Sequence, residues 1–425
     1  MSALVVLLAL LAVLVSGVPI AFALGGLGLV LLLMNGLPPI IIAQNLYGGI
    51  DNFVLLAVPL FLMMSNVLLK GGVGRDLYAA VQSWVGHWPG GLAVATIISC
   101  ALFSAISGSS VATAATIATI AIPEMLSRGY ERGFVFGLLA AGGTLGILIP
   151  PSIPLIVYGV VAEESIVSLF LAGIGPGLML SVAFIVFAML HARFGKQAHI
   201  RGARATGPER VRASLRALPT AMLAAIILAG IYLGVFTPTE AAGVGFVLAL
   251  ALTVFVLRTM SWALLRESML ESLKTTVTIL LIVVGAKIFA KSVTLFHIPQ
   301  DVSSLILSAE LSAAGFMFVV CALLLVMGFF LESLSMLLIV VPLLHPALAG
   351  MGIDAVWFGI AFMIMIECAL ITPPVGMNLF VIQAVAKARL GEVTRGVWPF
   401  IVIMLASVVL IYLFPDIVLF IPFKL

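Results

Sequence analysis

Runs of apolar residues long enough to cross a bilayer as helices recur along the whole chain, with polar residues clustered between them. An apolar window places spans near 3–16, 18–34, 52–69, 133–158 and 171–191, then 218–236, 239–257, 275–292, 355–385 and 397–420. These form two sets of five. Residues 3–34 also read as one long tilted helix, although Gly17 and Pro19 favour a turn there, as Thr237 and Pro238 do in the second set. Between the third and fourth spans of each set lies a further apolar block, 91–122 and 311–349. Each is interrupted in its middle, by Ser107-Gly108-Ser109-Ser110 and by Glu332-Ser333-Leu334-Ser335. Such a break predicts a re-entrant hairpin rather than one straight helix, since irregular backbone at membrane depth needs protein around it.

Two Pro-Pro pairs, Pro150-Pro151 and Pro373-Pro374, interrupt the fourth span of each set, 223 residues apart. Pro176 and Pro399, and Ser109 and Glu332, share that offset, and Pro19 and Pro238 come within four residues of it. Each tip lies 41 residues before its Pro-Pro pair. An odd number of spans per repeat inverts the second half relative to the first, an arrangement common among secondary transporters. The expected fold is therefore an all-α polytopic membrane protein. Its first inverted repeat is 1–190, its basic linker 191–216 and its second repeat 217–425, each repeat carrying one hairpin.

Composition agrees with a membrane solvent. Hydrophobic residues make up 63% of the 425 and charged residues 9%, where a soluble domain carries about 25% charged residues. No basic stretch precedes the first apolar run and no small-residue cleavage site follows it, so no cleavable signal is expected. The net charge of +3 is too small to suggest nucleic-acid binding, but the placement of charge is informative. With 191–216 in the cytoplasm, that side receives Lys70, Arg75, Arg128, Arg132, the seven basic residues from Arg193 to Arg216, Arg258, Arg266, Lys274, Lys387, Arg389 and Arg395. That is 17 of the 20 Lys and Arg. The opposite loops, 35–51, 159–170 and 293–310, hold Asp51, Glu163, Glu164, Asp301 and Glu310 and no basic residue. Residues 75–89 and 262–274 alternate polar and apolar positions at helical spacing, with Trp84, Trp88 and Trp262 suited to headgroup depth. They read as interfacial helices that anchor the protein or brace a scaffold against a moving core.

Several chemistries are excluded by pattern. Cys100, Cys321 and Cys368 lie in apolar stretches without CxxC spacing and read as small buried hydrophobes. The five histidines form no HExxH, and Gly195-Lys196 is followed by Gln197, so no Walker A sequence is present. What remains is the chemistry exposed by the breaks. Proline removes a backbone donor, and an interrupted membrane helix offers carbonyls that need partners. In the first half, Ser104, Ser107, Ser109 and Ser110 can face Gly143, Thr144 and the break at Ile149-Pro150-Pro151-Ser152. In the second, Gly328, Glu332, Ser333 and Ser335 can face Thr372-Pro373-Pro374-Val375-Gly376-Met377-Asn378. Carbonyls and hydroxyls suit a hard monovalent cation such as Na⁺, and the helix N-termini after each break suit a carboxylate. Each of these groups has a plain structural reading too: glycines pack helices, and Ser or Thr bonds its own backbone. Glu332 and Glu367 stand apart, because an intramembrane carboxylate is costly and marks function by default. Glu332 reads equally as a cation ligand and as a stabiliser of its hairpin. Lys287 and Lys291 read equally as snorkelling residues and as partners of substrate or Asp301.

The motifs then resemble a known family. They are Ser107-Gly-Ser-Ser-Val-Ala-Thr-Ala-Ala-Thr116, Ile122-Pro-Glu-Met125, Arg128-Gly-Tyr130, Gly143-Thr-Leu-Gly-Ile-Leu-Ile-Pro-Pro-Ser-Ile153 and Ala172-Gly-Ile-Gly-Pro-Gly177. Trp357-Phe-Gly359 and Ile371-Thr-Pro-Pro-Val-Gly-Met-Asn-Leu-Phe380 complete the set. Over essentially the whole chain the sequence resembles the large membrane subunit of tripartite ATP-independent periplasmic (TRAP) transporters. The resemblance implies a sodium-driven symporter of the bacterial inner membrane with an elevator-type ion-transporter fold, similar to that of dicarboxylate and citrate symporters. It implies two partners, a periplasmic substrate-binding protein and a small four-helix membrane subunit. Met1 runs straight into the first span, so no fusion to the latter is expected. It also implies sodium sites at Ser107, Ser110, Gly143 and Pro150, and at Gly328, Glu332, Thr372 and Met377. Ser109, Ser152, Ser335 and Asn378 are the neighbouring candidates for contact with substrate. The expected activity is uptake of a small organic anion, a C4-dicarboxylate or sugar acid, with no covalent chemistry. The alternatives are a self-sufficient sodium/carboxylate symporter without a binding protein, and an intramembrane enzyme, for which no converging nucleophile and base are visible.

Overall fold

The computed structural model describes residues 3–36, 40, 44, 47–48, 51–194, 204–308 and 311–424. Most of the loop 35–51, residues 195–203 of the basic linker, and Glu310 lie outside the described residues. Among those described, all regular structure is helical, as expected where backbone groups have no water to bond. Among the described residues, eight helices are long and apolar enough to cross a membrane, or nine when the bent pair Arg132–Leu148 and Ile153–Ala162 counts as one span.

The first apolar stretch resolves into two helices, Ala3–Val15 and Ile20–Met34, because Gly17 takes φ +83° at the turn before Pro19. Both expected hairpins form. The first pairs Gly91–Ser107 with Ser110–Ser127, running five residues beyond the expected end, and the second pairs Ala313–Met327 with Ser333–Leu348. Both Pro-Pro pairs break their helices, giving Arg132–Leu148 with Ile153–Ala162, and Ala355–Ile371 with Met377–Ala386. Both Pro-Pro peptide bonds are cis.

Three segments differ from expectation. Residues 262–274 do not lie apart as an interfacial helix but continue into the span as one 34-residue helix, Trp262–Leu295. Its polar face satisfies itself: Ser268 donates to Leu264 O at 2.9 Å, Ser272 to Ser268 O at 2.8 Å and Thr275 to Glu271 O at 3.1 Å. In the first half the chain instead breaks at Gly71-Gly72, with Gly72 at φ +77°, and Val73–Val85 forms a separate arm. The loop 293–310 contains a short helix, Ile298–Ser308, in the place before the second hairpin that Val73–Val85 holds before the first. The last span ends at Leu413, and Asp416–Lys424 follows Pro415 as a separate helix.

The helices sort into an inner and an outer group. The hairpins and broken helices pack together with Ile166–Phe194 and Leu390–Leu413. Around them, Ile20–Met34 lies along Trp262–Leu295, and Pro238–Ala251 along Ala57–Lys70. Small residues set these distances. A Cβ on Gly28 would stand 2.8 Å from the Phe289 nitrogen, and one on Gly137 would run into the backbone of Gly396. Val73–Val85 touches both groups, packing on Gly91–Ser107 and on Gly207–Tyr232. On the latter, Trp84 donates to the Ser214 hydroxyl at 3.0 Å beneath the Arg210 guanidinium. Ile298–Ser308 packs likewise on Ser333–Leu348 and on Trp262–Leu295.

The halves also exchange contacts. The second arm of the first hairpin packs on Met377–Ala386, and the second arm of the second hairpin packs on Ile153–Ala162. Each break thus lies between its own half and the other.

Candidate functional site

The first tip is built by a tight turn. Helix Gly91–Ser107 stops at Gly108, whose φ of +61° reverses the chain, and Ser109 adopts extended backbone. The Ser109 hydroxyl caps the next helix by accepting the Ala112 N–H at 3.4 Å. Across the turn the Ser107 and Thr113 hydroxyls share a hydrogen bond of 2.7 Å. The tip then sits directly on the first broken helix. A Cβ on Gly146 would lie 2.6 Å from the Ser109 carbonyl oxygen, and one on Gly143 would lie 3.1 Å from that of Ser110. The Ile153 N–H donates to the Gly108 carbonyl at 3.4 Å, stitching the tip to the break. Beyond the prolines, Ser152 caps Ile153–Ala162 by accepting the Leu155 N–H at 3.4 Å. The broken helix bends by 43° there. Ser107, Ser110, Gly143, Pro150 and Ser152 are all buried, so five of the expected residues meet in one enclosed, oxygen-rich place.

The second tip is more open. Gly328 is buried against Ala369 of Ala355–Ile371, one turn before Thr372. The Thr372 hydroxyl donates to the Cys368 carbonyl at 2.6 Å, which leaves its oxygen lone pairs free to accept a cation. Glu332 stands at the N-terminus of Ser333–Leu348, and its Oε1 accepts the Ser335 hydroxyl at 3.4 Å. The carboxylate thus touches its own hairpin, and among the described residues its second oxygen has no hydrogen-bond partner there. Pro374, Val375 and Met377 are exposed, whereas Ser335 and Asn378 are buried. Gly376 joins the two half-helices at φ +42°.

Among the described residues with buried polar atoms that lack a hydrogen-bond partner, two lie on the halves of the second broken helix. Glu367, fully buried, has no hydrogen bond to either carboxylate oxygen, and Asn378 has none to its amide oxygen or nitrogen. Glu367 belongs to the second broken helix, yet that helix packs on Arg132–Leu148 beneath the first hairpin tip, and the Ser110 hydroxyl lies near its carboxyl. The pair approaches without reaching the geometry of a full hydrogen bond.

With this geometry in view, the chain matches the family described as "Tripartite ATP-independent periplasmic transporter, DctM component" over residues 5–417. The chain belongs to this family. It is similar to a C4-dicarboxylate TRAP transporter large permease protein of Rhodobacter capsulatus, 37% identical and covering 99% of each chain. A sialic acid TRAP transporter large permease protein of Vibrio cholerae is 35% identical, over 97% of this chain and 96% of that one. Among solved structures, the YdaH transporter of Alcanivorax borkumensis superimposes with a TM-score of 0.64, covering 88% of this chain and 87% of that one. At 14% identity that likeness shows the fold alone. The TRAP permease family is one of transporter subunits rather than enzymes, and this member is a multi-pass membrane protein.

The expected site residues thus divide. Those of the first half converge, while in the second half Gly328 approaches Thr372 and Glu332 turns to Ser335. Thr113 joins the first tip without having been singled out; its signal was only its place six residues after Ser107. Glu367 drew attention as a carboxylate within a span, but its neighbour Ser110 lies 257 residues earlier in the chain. Lys287 is half-buried and Lys291 exposed, and among the described residues neither joins an ion pair.

Proposed function

We propose that this chain is the permease of a sodium-driven uptake system for a small organic acid, a C4-dicarboxylate or sugar acid, in the bacterial inner membrane. It receives substrate from a periplasmic binding protein and works beside a small four-helix membrane subunit. The observation that carries this reading is the seating of the first hairpin tip on a Pro-broken helix, with hydroxyls and carbonyls gathered in a buried place and no fixed cation among them. Oxygen donors of this kind suit Na⁺, held by Ser107, Ser110 and backbone near Gly143 and Pro150. The second tip offers Gly328, Thr372 and Met377, with Glu332 on its flank. The helix N-termini at Ser152 and Asn378 point dipoles toward an anion, beside Ser109 and Ser335. The two-group architecture supports an elevator-like movement in which the inner group carries the tips past the outer group, with the arms Val73–Val85 and Ile298–Ser308 between them.

Reconstitution into liposomes tests the reading with labelled succinate and labelled sialic acid as probes. Uptake is expected only with an inward sodium gradient and with binding protein and small subunit both supplied. Uptake by this chain alone would favour the self-sufficient symporter instead. Ser110→Ala and Thr372→Ala are expected to raise the sodium concentration needed for half-maximal uptake, and unchanged sodium dependence in both would remove the assigned ligands.

A further inference from the structure

We propose that Glu367 is a cation ligand that completes the first hairpin's site from the opposite repeat. The inference rests on the sodium-coupled reading and adds a charged ligand that neither expected ligand set contains. A fully buried carboxyl without hydrogen bonds must either take up a proton or meet a cation, and neither oxygen of Glu367 is bonded within the protein. Among the described residues no Lys, Arg or His forms an ion pair with it. Helices Gly91–Ser107, Ser110–Ser127, Ala355–Ile371 and Met377–Ala386 contain no Lys or Arg. Arg132, at the start of the first broken helix, is paired with Glu392 at 3.2 Å.

Glu367's helix packs on Arg132–Leu148, which seats the first tip at Gly143 and Gly146, and the Ser110 hydroxyl of that tip lies near the Glu367 carboxyl. A second orphan, Asn378, is fully buried on the half-helix that packs against Ser110–Ser127, and its amide oxygen is unused. The available donors are thus one carboxylate, a hydroxyl, an amide oxygen and the Ser109 and Ser110 carbonyls beside Gly146 and Gly143. All are oxygen, the set a hard cation prefers. With a single negative charge among neutral dipoles, the ligand is a monovalent cation, Na⁺ under the reading above. Because Ser110 and Glu367 lie on different repeats, the bound ion ties the first hairpin to the second broken helix.

The test uses the purified full-length chain in two measurements: the rise in melting temperature on adding NaCl, with choline chloride as the control, and the sodium half-saturation of uptake in the reconstituted three-component system. Glu367→Gln keeps the shape and removes the charge. It is expected to abolish most of the sodium-specific melting shift and to raise half-saturation by about tenfold or more, while sodium-free stability is unchanged or higher. If Glu367 is a neutral packing group, glutamine imitates it, and both sodium responses stay at the wild-type level; that result overturns the proposal. Should Glu367→Gln fail to accumulate, Glu367→Asp withdraws the charge by one methylene. A raised half-saturation then supports the site, and an unchanged one overturns it. A wild-type chain without any sodium-specific response would instead overturn the sodium-coupled reading itself, and this inference with it.

Discussion

The Tyr158 hydroxyl donates to the Ala355 carbonyl oxygen at 2.6 Å, and the same ring lies against Gly359. Tyr158 belongs to the half-helix after the first break, and Ala355 opens the second broken helix. The bond therefore ties the half-helix after the first break to the opening turn of the second broken helix through a fully buried aromatic ring. This contact joins the two broken helices, alongside the packing of each hairpin on the opposite half.

Removing the hydroxyl isolates that link. Tyr158→Phe keeps the packing of the ring and loses one buried hydrogen bond, for a stability loss of about 1 kcal/mol. Gly359→Ala is expected to be worse, because its Cβ would stand 2.6 Å from Tyr158 Cε1 in a place without spare volume. Thermal unfolding in detergent compares the two, and equal melting temperatures for both variants and wild type would contradict the linkage.

At the first tip, Gly146→Ala places a methyl 2.6 Å from the Ser109 carbonyl oxygen and 2.8 Å from the Ser110 nitrogen. Both are backbone atoms, so the tip itself must shift. Sodium-dependent uptake is expected to fall by at least about tenfold, as misplaced ligands cost 10- to 100-fold in affinity. Transport assayed across a sodium series checks this, and a wild-type sodium curve would show that the tip is not held by this contact.

The outer group offers an internal control. Gly28→Ala sets a Cβ 2.8 Å from Phe289 N and should destabilise the protein by about 1–3 kcal/mol through overpacking. Gly26, two residues earlier, has open space around it, so Gly26→Ala is expected to be neutral or stabilising by up to about 1 kcal/mol. Parallel melting curves of the two variants should separate.

Asn66 donates to the Ser272 hydroxyl at 2.8 Å across 206 residues of chain. A double-mutant cycle with Asn66→Ala and Ser272→Ala is expected to return a coupling of about 0.6 kcal/mol, the average for such bonds between membrane helices. Additive effects would show that the bond does not contribute.

The spans, the hairpins and both breaks could be read from the chain because apolar length and proline act locally, and Pro150 and Pro373 interrupt a helix whatever surrounds them. The character of 262–274 could not. Trp262 with polar residues at helical spacing describes a helix lying on a membrane as well as one rising from it. What settles the matter is distant: Lys70 reaches Glu267 at 2.7 Å and Glu271 at 2.8 Å from the other half of the chain. The helix Ile298–Ser308 was hidden differently, since a short helix amid acidic and polar residues carries no long apolar signal. At the site, Ser107, Ser110 and Gly143 were visible through their place at a tip and opposite a break. That Glu367 should meet Ser110 depends on how the two repeats interlock, which no local pattern encodes.

At 1.5 Å per residue, the unbroken helix Trp262–Leu295, with its 34 residues, is about 51 Å long, longer than a bilayer of about 40–45 Å with its headgroups. It must therefore lean within the lipid or stand proud of one leaflet. A rod of this kind cannot shorten to follow a thinner membrane, whereas the first half can flex at Gly71-Gly72. Membrane thickness consequently bears unequally on the two halves, and lipids of graded acyl length should alter the tilt of this helix before they alter the other half.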